Sequence, residues 1–443
     1  MKQYLGLFLE NYIPQDLNTT IEILKDEIIA EMLNLESKFT SSKPVNTISS
    51  QIRSCSKWIR AGETIVGNEL NTHLNDLERI AIIGIDTLYV VDRYNDKTRL
   101  QIFPNGCLVG HTLWNEFDSI ILIDENATIC TASYNGYIQL IPNIPVDARW
   151  KQNGVTVAGG HGKGSATNQL YWAEGFFVDD NQTIVIADYW NHRIVQWKMG
   201  DTNGQVVAGG NGRGNRLDQL NEPTDVLIDK ETHSLMICDQ NNRRVVRWSR
   251  RSGTTQGEIL IDNIACRGLA MDDQRDLYIS DVEKDEVRRY QIGNKNGTIV
   301  AGGNGEGTGL NQLNSPTYIF LDQQQTVYVS DWDNHRVMKW NKGAKEGIIV
   351  SGGHGQGNAL TQLSNLQGLF VDTLGTIYVA DSRNNRVMRW PRGAKQGTVI
   401  VDGNGEGEGA NQLHWPVDLS FDRHGNLYVA DQRNNRVQRF SIE

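Results

Sequence analysis

The segment LYVADQRNNRVQRF, residues 427–440, contains the pattern that decides the fold of this chain. A short apolar strand ends at Asp431, a polar turn follows, and a second strand ends at the aromatic residue Phe440. Both strands contain β-branched and aromatic residues, which favour extended structure. The segment therefore predicts a β-hairpin.

The same hairpin recurs along most of the chain. In each copy a strand ends in Asp, and a large aromatic residue stands nine positions later. The Asp residues are Asp188, Asp239, Asp281, Asp331, Asp381 and Asp431. The aromatic residues are Trp197, Trp248, Tyr290, Trp340, Trp390 and Phe440. A spacing of about 40–50 residues is typical of the blades of a β-propeller.

One unit can be followed strand by strand. Apolar strand patterns cover residues 368–372, 377–381, 386–390 and 397–401, and a glycine-rich segment then leads to the next unit. Six clear units of this kind occupy residues 154–443. We therefore expect an all-β chain that folds as a single β-propeller of four-stranded blades.

Residues 51–153 contain two weaker copies of the unit, which would raise the number of blades from six to eight. The final unit lacks a fourth strand, so a strand from the N-terminal side has to complete it if no sheet edge is to stay open. Residues 63–66 would complete an eight-bladed ring, and residues 155–158 would complete a six-bladed one. We favour eight blades, with six as the alternative.

Residues 1–50 have a different pattern, in which apolar residues recur every three or four positions. These residues are Ile21, Leu24, Ile28, Met32, Leu35 and Phe39. This spacing predicts a short helix, followed by a linker. We expect the helix to pack against the propeller, with weak self-association through it as the alternative.

A polar turn of the form Asp-x-x-Asn-x-Arg joins two strands in nearly every unit. Asp and Asn bond nearby backbone amides, and Arg can donate several hydrogen bonds to a carboxylate. Because the turn repeats, we expect it to be a structural latch. The unit at Asp281 differs, with Lys284 in place of Asn and Glu286 in place of Arg.

The turns at 188–193 and 331–336 read Asp-x-x-Asn-His-Arg, and with them the chain resembles the NHL repeat family. The resemblance implies a propeller, often six-bladed, that binds protein or RNA. Similar propellers follow a RING domain in tripartite-motif and related ubiquitin-ligase proteins. Since this chain has no zinc-binding array of its own, the resemblance implies a non-catalytic scaffold or substrate-recognition module that works with a ligase on another chain.

Six positions near the start of the first strands are expected to lie at one mouth of the central channel. They are Glu174, Asp225, Arg267, Tyr318, Gln367 and Asp418. Some related propellers are metal-dependent lyases or hydrolases, and this is the alternative function. Because no histidine lies on these strands, we expect a polar binding surface without a catalytic residue, metal or cofactor.

The hairpin that departs from the repeat supplies a second candidate contact patch. Its residues are Glu283, Lys284, Asp285 and Glu286. We expect a protein partner for these surfaces. RNA is disfavoured, because the net charge is -10 and neither the repeat region nor the N-terminal region has a basic excess.

Compartment signals in the sequence are few. No apolar run approaches the ~20 residues that span a bilayer, so we expect a cytoplasmic protein without a membrane partner. The five cysteines form no Cys-x-x-Cys pair and are expected to be buried free thiols. Four Asn-x-Ser/Thr sequons would matter only in a secreted chain. They begin at Asn18, Asn126, Asn181 and Asn296.

Overall fold

The computed structural model describes seven strands between residues 76 and 141, and residues 142–443 except positions 143, 146, 180 and 403. Side chains are described within 142–443, with residue 402 also left out. The helix expected within residues 1–50 and the strand expected at 63–66 lie outside the described residues.

The chain forms two compact units, residues 1–116 and 117–443. In the first unit, the described strands form one antiparallel sheet in chain order. These strands are β1 (Asp76–Ile82), β2 (Thr87–Tyr94), β3 (Lys97–Pro104) and β4 (His111–Trp114). The second unit begins with a three-stranded sheet among the described residues. Its strands are β5 (Ile120–Ile123), β6 (Ile129–Ala132) and β7 (Ile138–Ile141).

The described strands from residue 155 onward form six antiparallel blades of four strands each. Blade 1 contains β9 (Ala173–Val178), β10 (Ile184–Asp188), β11 (Arg193–Trp197) and β12 (Gln205–Gly209). Blade 2 contains β13 (Pro223–Asp229), β14 (Ser234–Asp239), β15 (Arg244–Ser249) and β16 (Glu258–Asp262). Blade 3 contains β17 (Cys266–Met271), β18 (Leu277–Asp281), β19 (Glu286–Tyr290) and β20 (Thr298–Gly302).

The other three blades follow the same plan. Blade 4 contains β21 (Pro316–Leu321), β22 (Val327–Asp331), β23 (Arg336–Trp340) and β24 (Ile348–Gly352). Blade 5 contains β25 (Leu369–Val371), β26 (Ile377–Asp381), β27 (Arg386–Trp390) and β28 (Thr398–Asp402). Blade 6 contains β29 (Pro416–Phe421), β30 (Leu427–Asp431), β31 (Arg436–Phe440) and, from the start of the ring, β8 (Val155–Gly159). Short 3-10 turns follow the second strand at Tyr189–Asn191, Gln240–Asn242, Ser382–Asn384 and Gln432–Asn434.

The pairing of β8 with β31 closes the ring. The two strands run antiparallel, with Arg436 opposite Gly159 and Arg439 opposite Val155. This pairing completes the last blade, so the ring closes at six. The eight-bladed arrangement that we favoured is therefore wrong, and the six-bladed alternative is confirmed. The strand patterns before residue 154 do form sheets, but ring closure does not use them.

The hydrophobic core lies between neighbouring blades, where the sheets stack face to face. The aromatic residue predicted nine positions after each Asp is buried in all six blades, for example Trp340, which is 2% exposed. The segment before β8 also belongs to this core. Ile144, Ala148 and Trp150 are buried against blades 5 and 6, and Trp150 Nε1 donates a hydrogen bond to the Gly425 carbonyl at 2.9 Å.

Candidate functional site

The Asp-x-x-Asn-x-Arg turn is a hydrogen-bonded hub around one buried carboxylate. In blade 5, Asp381 accepts a hydrogen bond from the Ser364 backbone N–H at 2.7 Å. Its other oxygen accepts from Asn384 Nδ2 at 2.8 Å and from Arg386 Nε at 2.7 Å. The remaining guanidinium nitrogens of Arg386 donate to linker carbonyls. These carbonyls belong to Asn358, Ala359 and Gln362.

Blades 1, 2, 4 and 6 repeat this network. The Arg Nε lies 2.6–2.7 Å from the Asp Oδ2 in each of them. The pairs are Asp188–Arg193, Asp239–Arg244, Asp331–Arg336 and Asp431–Arg436. Because Arg also binds the glycine-rich linker, the turn fastens the linker to the hairpin. Its contacts are therefore those of the predicted latch.

Blade 3 lacks the latch, as its sequence indicates. Asp281 Oδ2 has no hydrogen-bond partner among the described residues and lies 3.6 Å from Lys284 Nζ. Glu286 is buried and pairs with Arg288, with Nε 2.5 Å from Oε1. The missing latch coincides with a missing linker, because only residues 263–265 connect β16 to β17.

A second recurring contact, which the sequence analysis missed, joins one blade to the next. The residue four positions after each strand-ending Asp has a left-handed backbone, with φ of 51° to 53°. In five blades its side chain accepts a hydrogen bond from a backbone N–H at the start of the following blade. We call these contacts the inter-blade staples. They join His192 to Glu222 (3.1 Å), Asp285 to Ser315 (2.8 Å), His335 to Asn365 (3.2 Å), Asn385 to Trp415 (2.8 Å) and Asn435 to Trp172 (3.0 Å).

The staples give a physical reason for the residue types at this position. His, Asp and Asn all carry an acceptor at a similar distance from the backbone, and Asn and Asp also tolerate the left-handed conformation. The recurrence of acceptors at this site was the sequence signal that could have revealed the contact. The junction between blades 2 and 3 is the exception, because Arg243 has no acceptor and its guanidinium instead pairs with Glu283.

A disulfide between Cys238 and Cys266 crosses that same junction. Cys238 is the residue before the end of β14 in blade 2, and Cys266 is the first residue of β17 in blade 3. Their Cα atoms are 5.5 Å apart, a separation that a disulfide spans without backbone movement. The prediction of free thiols is therefore wrong for these two cysteines. The other three lie outside the described side chains.

The predicted channel residues come together at one mouth of the ring. Arg267 Nη2 donates to Glu174 Oε2 at 3.0 Å and to Gln367 Oε1 at 3.0 Å. Tyr318 OH donates to the same Glu174 oxygen at 3.5 Å. Burial raises the pKa of Glu174, although the Arg267 guanidinium opposes this shift. The structure thus brings Glu174, Arg267, Tyr318 and Gln367 into mutual contact.

The contact of Gln432 shows which end of the ring carries this cluster. Gln432 lies in the turn after β30, and its Nε2 donates to Glu174 Oε1 at 2.6 Å. The channel cluster therefore lies at the end of the ring that carries the Asp-x-x-Asn-x-Arg turns. We call this end the turn face.

Asp225 and Asp418 bridge neighbouring blades. Asp225 accepts from the backbone N–H of Val226 and, across the junction, of Leu269, both at 2.8 Å. Asp418 accepts across its junction from the Phe176 N–H at 3.0 Å. Burial raises the pKa of Asp225 to about 7, and it raises that of Asp418 well above its ordinary value, helped by the charge of Asp225.

Close packing around the channel requires glycine next to its polar residues. Gly175 follows Glu174, and a Cβ there would lie 2.3 Å from Asp225 Oδ1. Gly368 follows Gln367, and a Cβ there would lie 2.5 Å from the Cα of Asp418. Neighbouring blades can therefore approach closely enough for their channel residues to interact.

An aromatic patch lies beside this mouth and was not predicted. Its residues are Tyr171, Trp172, Tyr189 and Trp190. The rings of Tyr189 and Trp190 are 5.0 Å apart and edge to face, and those of Trp172 and Trp190 are 5.8 Å apart. Trp190 is 37% exposed. Trp172 is two positions before Glu174 in the chain, which places the patch next to the channel cluster.

The patch is anchored by a buried acid. Tyr189 OH donates to Glu222 Oε2 at 2.7 Å, and Asn241 Nδ2 donates to the same oxygen at 2.5 Å. Blade 2 has Asn221-Glu222 and Gln240-Asn241 where blade 1 has its aromatic pairs. Blades 4 and 6 each have one tryptophan at these positions, so the run of four aromatic residues in blade 1 was the available sequence signal.

The structure divides the candidate residues 283–286. Glu283 and Lys284 are exposed on the turn face. Asp285 is half-buried and holds the staple to Ser315, and Glu286 is buried against Arg288. Only the first two side chains are therefore placed where a partner could contact them freely.

Two further observations concern the described residues alone. No group of three or more His, Cys, Asp or Glu side chains in this part of the chain is arranged to hold a metal ion. Among the same residues, no helix has the length and apolar character needed to cross a membrane.

The fold and the recurring turns define a six-bladed β-propeller. A model of the family described as NHL repeat matches residues 413–440, which lie in blade 6. The match covers one of the six blades, and the propeller fold agrees with it. No curated protein matches the chain.

Solved structures share the fold at low sequence identity. A structural genomics protein of unknown function from Bacteroides thetaiotaomicron is 15% identical, with a TM-score of 0.54 over 82% of this chain and 87% of that chain. A gluconolactonase from Xanthomonas campestris is 15% identical, with a TM-score of 0.45 over 68% of this chain and 98% of that chain. A PQQ-bound aldose sugar dehydrogenase from Streptomyces coelicolor is 13% identical, with a TM-score of 0.49 over 68% of this chain and all of that one (100%).

Proposed function

We propose that this chain is a non-catalytic propeller that binds a partner protein through its turn face. The observation that carries the proposal is the aromatic patch beside the channel mouth. Aromatic side chains concentrate at protein interfaces and supply most of their strongest contacts. At the equivalent positions blades 4 and 6 each present one tryptophan, Trp332 and Trp415, so the cluster of four aromatic rings is specific to blade 1.

The channel mouth supplies a polar centre next to this apolar surface. Glu174, Asp225 and Asp418 place three carboxyl groups there, against the single guanidinium of Arg267. Because burial raises the pKa of all three carboxyl groups, the mouth favours their neutral forms. A partner side chain that enters the mouth should therefore be a polar hydrogen-bonding group.

Rigid blades with variable loops suit this role. The latches and staples hold the backbone of the turn face, so a partner would meet a preformed surface with little ordering cost. Glu283 and Lys284 extend the same face at blade 3 and form a second proposed contact region.

Affinity capture with the full chain would test the proposal. Partners captured by the wild type are identified by mass spectrometry and compared with those captured by Trp190→Ala. Loss of an interface anchor costs about 2 kcal/mol or more, so the affinity for a purified partner should fall by roughly 30-fold. Ile348→Ala is the matched control, because Ile348 is 55% exposed on the outer strand β24.

The melting temperature of each variant is measured first, and partner binding is compared only between variants that melt like the wild type. Loss of a partner with Trp190→Ala but not with Ile348→Ala supports the proposed face. If every partner is retained with Trp190→Ala, the aromatic patch is not the binding site and the proposal is wrong.

Recognition of substrates for a ubiquitin ligase would require cytoplasmic location, and an inter-blade disulfide does not favour that compartment. The alternative of a metal-dependent lyase or hydrolase has no observation in its favour, since the likeness to named enzymes lies in the fold.

A further inference from the structure

The junction between blades 2 and 3 is built differently from the other five. It has Arg243 instead of a staple acceptor, and residues 263–265 instead of a glycine-rich linker. Blade 3 also lacks the latch around Asp281. The staple, the glycine-rich linker and the latch that recur elsewhere are therefore missing together at one place in the ring.

The Cys238–Cys266 disulfide lies at this place. Both cysteines are fully buried, and the bond links the end of the second strand of blade 2 to the first strand of blade 3. Polar contacts also cross the junction: the Leu269 N–H donates to Asp225 at 2.8 Å, and Arg275 pairs with the buried Asp229 at 2.6 Å. The exposed pair of Arg243 and Glu283 crosses it as well, and exposed ion pairs contribute little. The covalent bond thus stands where the other junctions have staples and linkers.

We infer that this chain matures in an oxidising secretory compartment, where Cys238 and Cys266 are joined and where Asn181 and Asn296 receive N-linked glycans. In the first reaction the two thiols lose two protons and two electrons to an oxidised dithiol carrier protein, which leaves as its dithiol. Disulfides persist in oxidising compartments and are rare in the cytosol. This inference does not depend on the proposed partner-binding role.

The two sequons are placed where glycans can be carried. Asn181 lies in the loop between β9 and β10, Asn296 lies in the loop between β19 and β20, and both are exposed. Both loops are at the end of the ring opposite the turn face. In the second reaction each side-chain amide nitrogen loses a proton and takes the oligosaccharide from a lipid pyrophosphate, which is the leaving group. Glycans there would leave the aromatic patch accessible.

The redox state of the native protein is the first test. Cells that make the chain are lysed in N-ethylmaleimide, and the peptides of the full chain are mapped by mass spectrometry without reduction. We expect a linked peptide pair containing Cys238 and Cys266. Alkylated Cys238 and Cys266 would overturn the inference.

Stability of the purified full chain is the second test. The cysteines are 28 residues apart, and closing a loop of that size changes the unfolding equilibrium by roughly 10²–10³-fold in the chain-entropy model. Reductant should therefore lower the melting temperature of the wild type. It should not lower that of the Cys238→Ser, Cys266→Ser double variant, which starts from the lower value. Equal effects on both proteins would contradict the proposed role of this bond.

Glycosidase treatment of the native chain is the third test. An amidase that removes N-linked glycans should increase its electrophoretic mobility. Asn181→Gln and Asn296→Gln should each remove part of this shift, whereas Thr298→Ser keeps the second sequon and should preserve it. A native chain whose mobility is unchanged by the amidase would overturn the assignment of these two sites.

Discussion

Replacement of Asp381 by Ala tests whether the latch holds the ring together. The substitution removes the acceptor shared by the Ser364 N–H, Asn384 and Arg386. It leaves the guanidinium of Arg386 largely buried, since its side chain is 8% exposed. Removal of one partner of a buried ion pair costs about 3–5 kcal/mol. Because Arg386 keeps three carbonyl acceptors, we expect the low end, about 3 kcal/mol.

Blade 3 supplies a matched control. Asp281 occupies the same position and is equally buried, but its Oδ2 has no hydrogen-bond donor among the described residues. Lys284 Nζ, at 3.6 Å, is half-exposed, and such pairs contribute about 0–1 kcal/mol. Asp281 Oδ1 accepts one hydrogen bond, from the Glu283 backbone N–H at 3.2 Å. Asp281→Ala should therefore destabilise the chain by about 1–2 kcal/mol, less than Asp381→Ala.

Urea unfolding of the full chain, followed by tryptophan fluorescence, measures both variants. The shift in midpoint times the slope gives the loss of unfolding free energy. Binding to any identified partner should fall only in proportion to unfolding. Equal losses for Asp381→Ala and Asp281→Ala would refute the latch, and so would lost binding in a fully folded Asp381→Ala variant.

Three further outcomes are expected. Burial lowers the pKa of His192 and His335, and each ring must be neutral, with Nδ1 unprotonated, to accept the hydrogen bond of its staple. The stability that these two staples contribute is full above the unfolded pKa of about 6.5 and is lost as the pH falls below it. The melting temperature of the double variant His192→Asn, His335→Asn should therefore depend less on pH than that of the wild type between pH 7 and about 5. The double variant Lys284→Asn, Glu286→Arg should not raise the urea midpoint, because the short connection before blade 3 offers no linker carbonyls; a clear rise would show that the latch acts within the hairpin alone. Deletion of residues 1–116 should leave the β-sheet circular dichroism and the melting temperature of the ring unchanged, since β8 is retained; an unfolded product would show that the ring needs the first unit.

Local structure could be predicted from the sequence because it depends on neighbouring residues. Alternating apolar residues, an Asp at a strand end and an aromatic residue nine positions on are all set within one hairpin. The strands, turns and latch followed from this pattern. The grouping of the channel residues rested on the same repeat, because equivalent positions of a repeat must face the same axis.

The number of blades was a different kind of question. Residues 63–66 and 155–158 both have the composition of a closing strand, and nothing local distinguishes them. The choice depends on which strand meets the free edge of β31 after the other blades have stacked. In the structure Val155 and Gly159 pair with that edge, and six sheets complete the ring.

The inter-blade contacts also required the tertiary structure. A staple such as His335 to Asn365 joins residues thirty positions apart, and its hydrogen bond depends on how neighbouring sheets are tilted. The disulfide and the aromatic patch likewise depend on which blades are adjacent. The sequence by itself determined the repeat, its hairpins and the position of the channel residues, because these follow from local periodicity. Only the tertiary structure decided ring closure, the staples and the surface beside the channel, because those contacts form between residues that the local pattern does not relate.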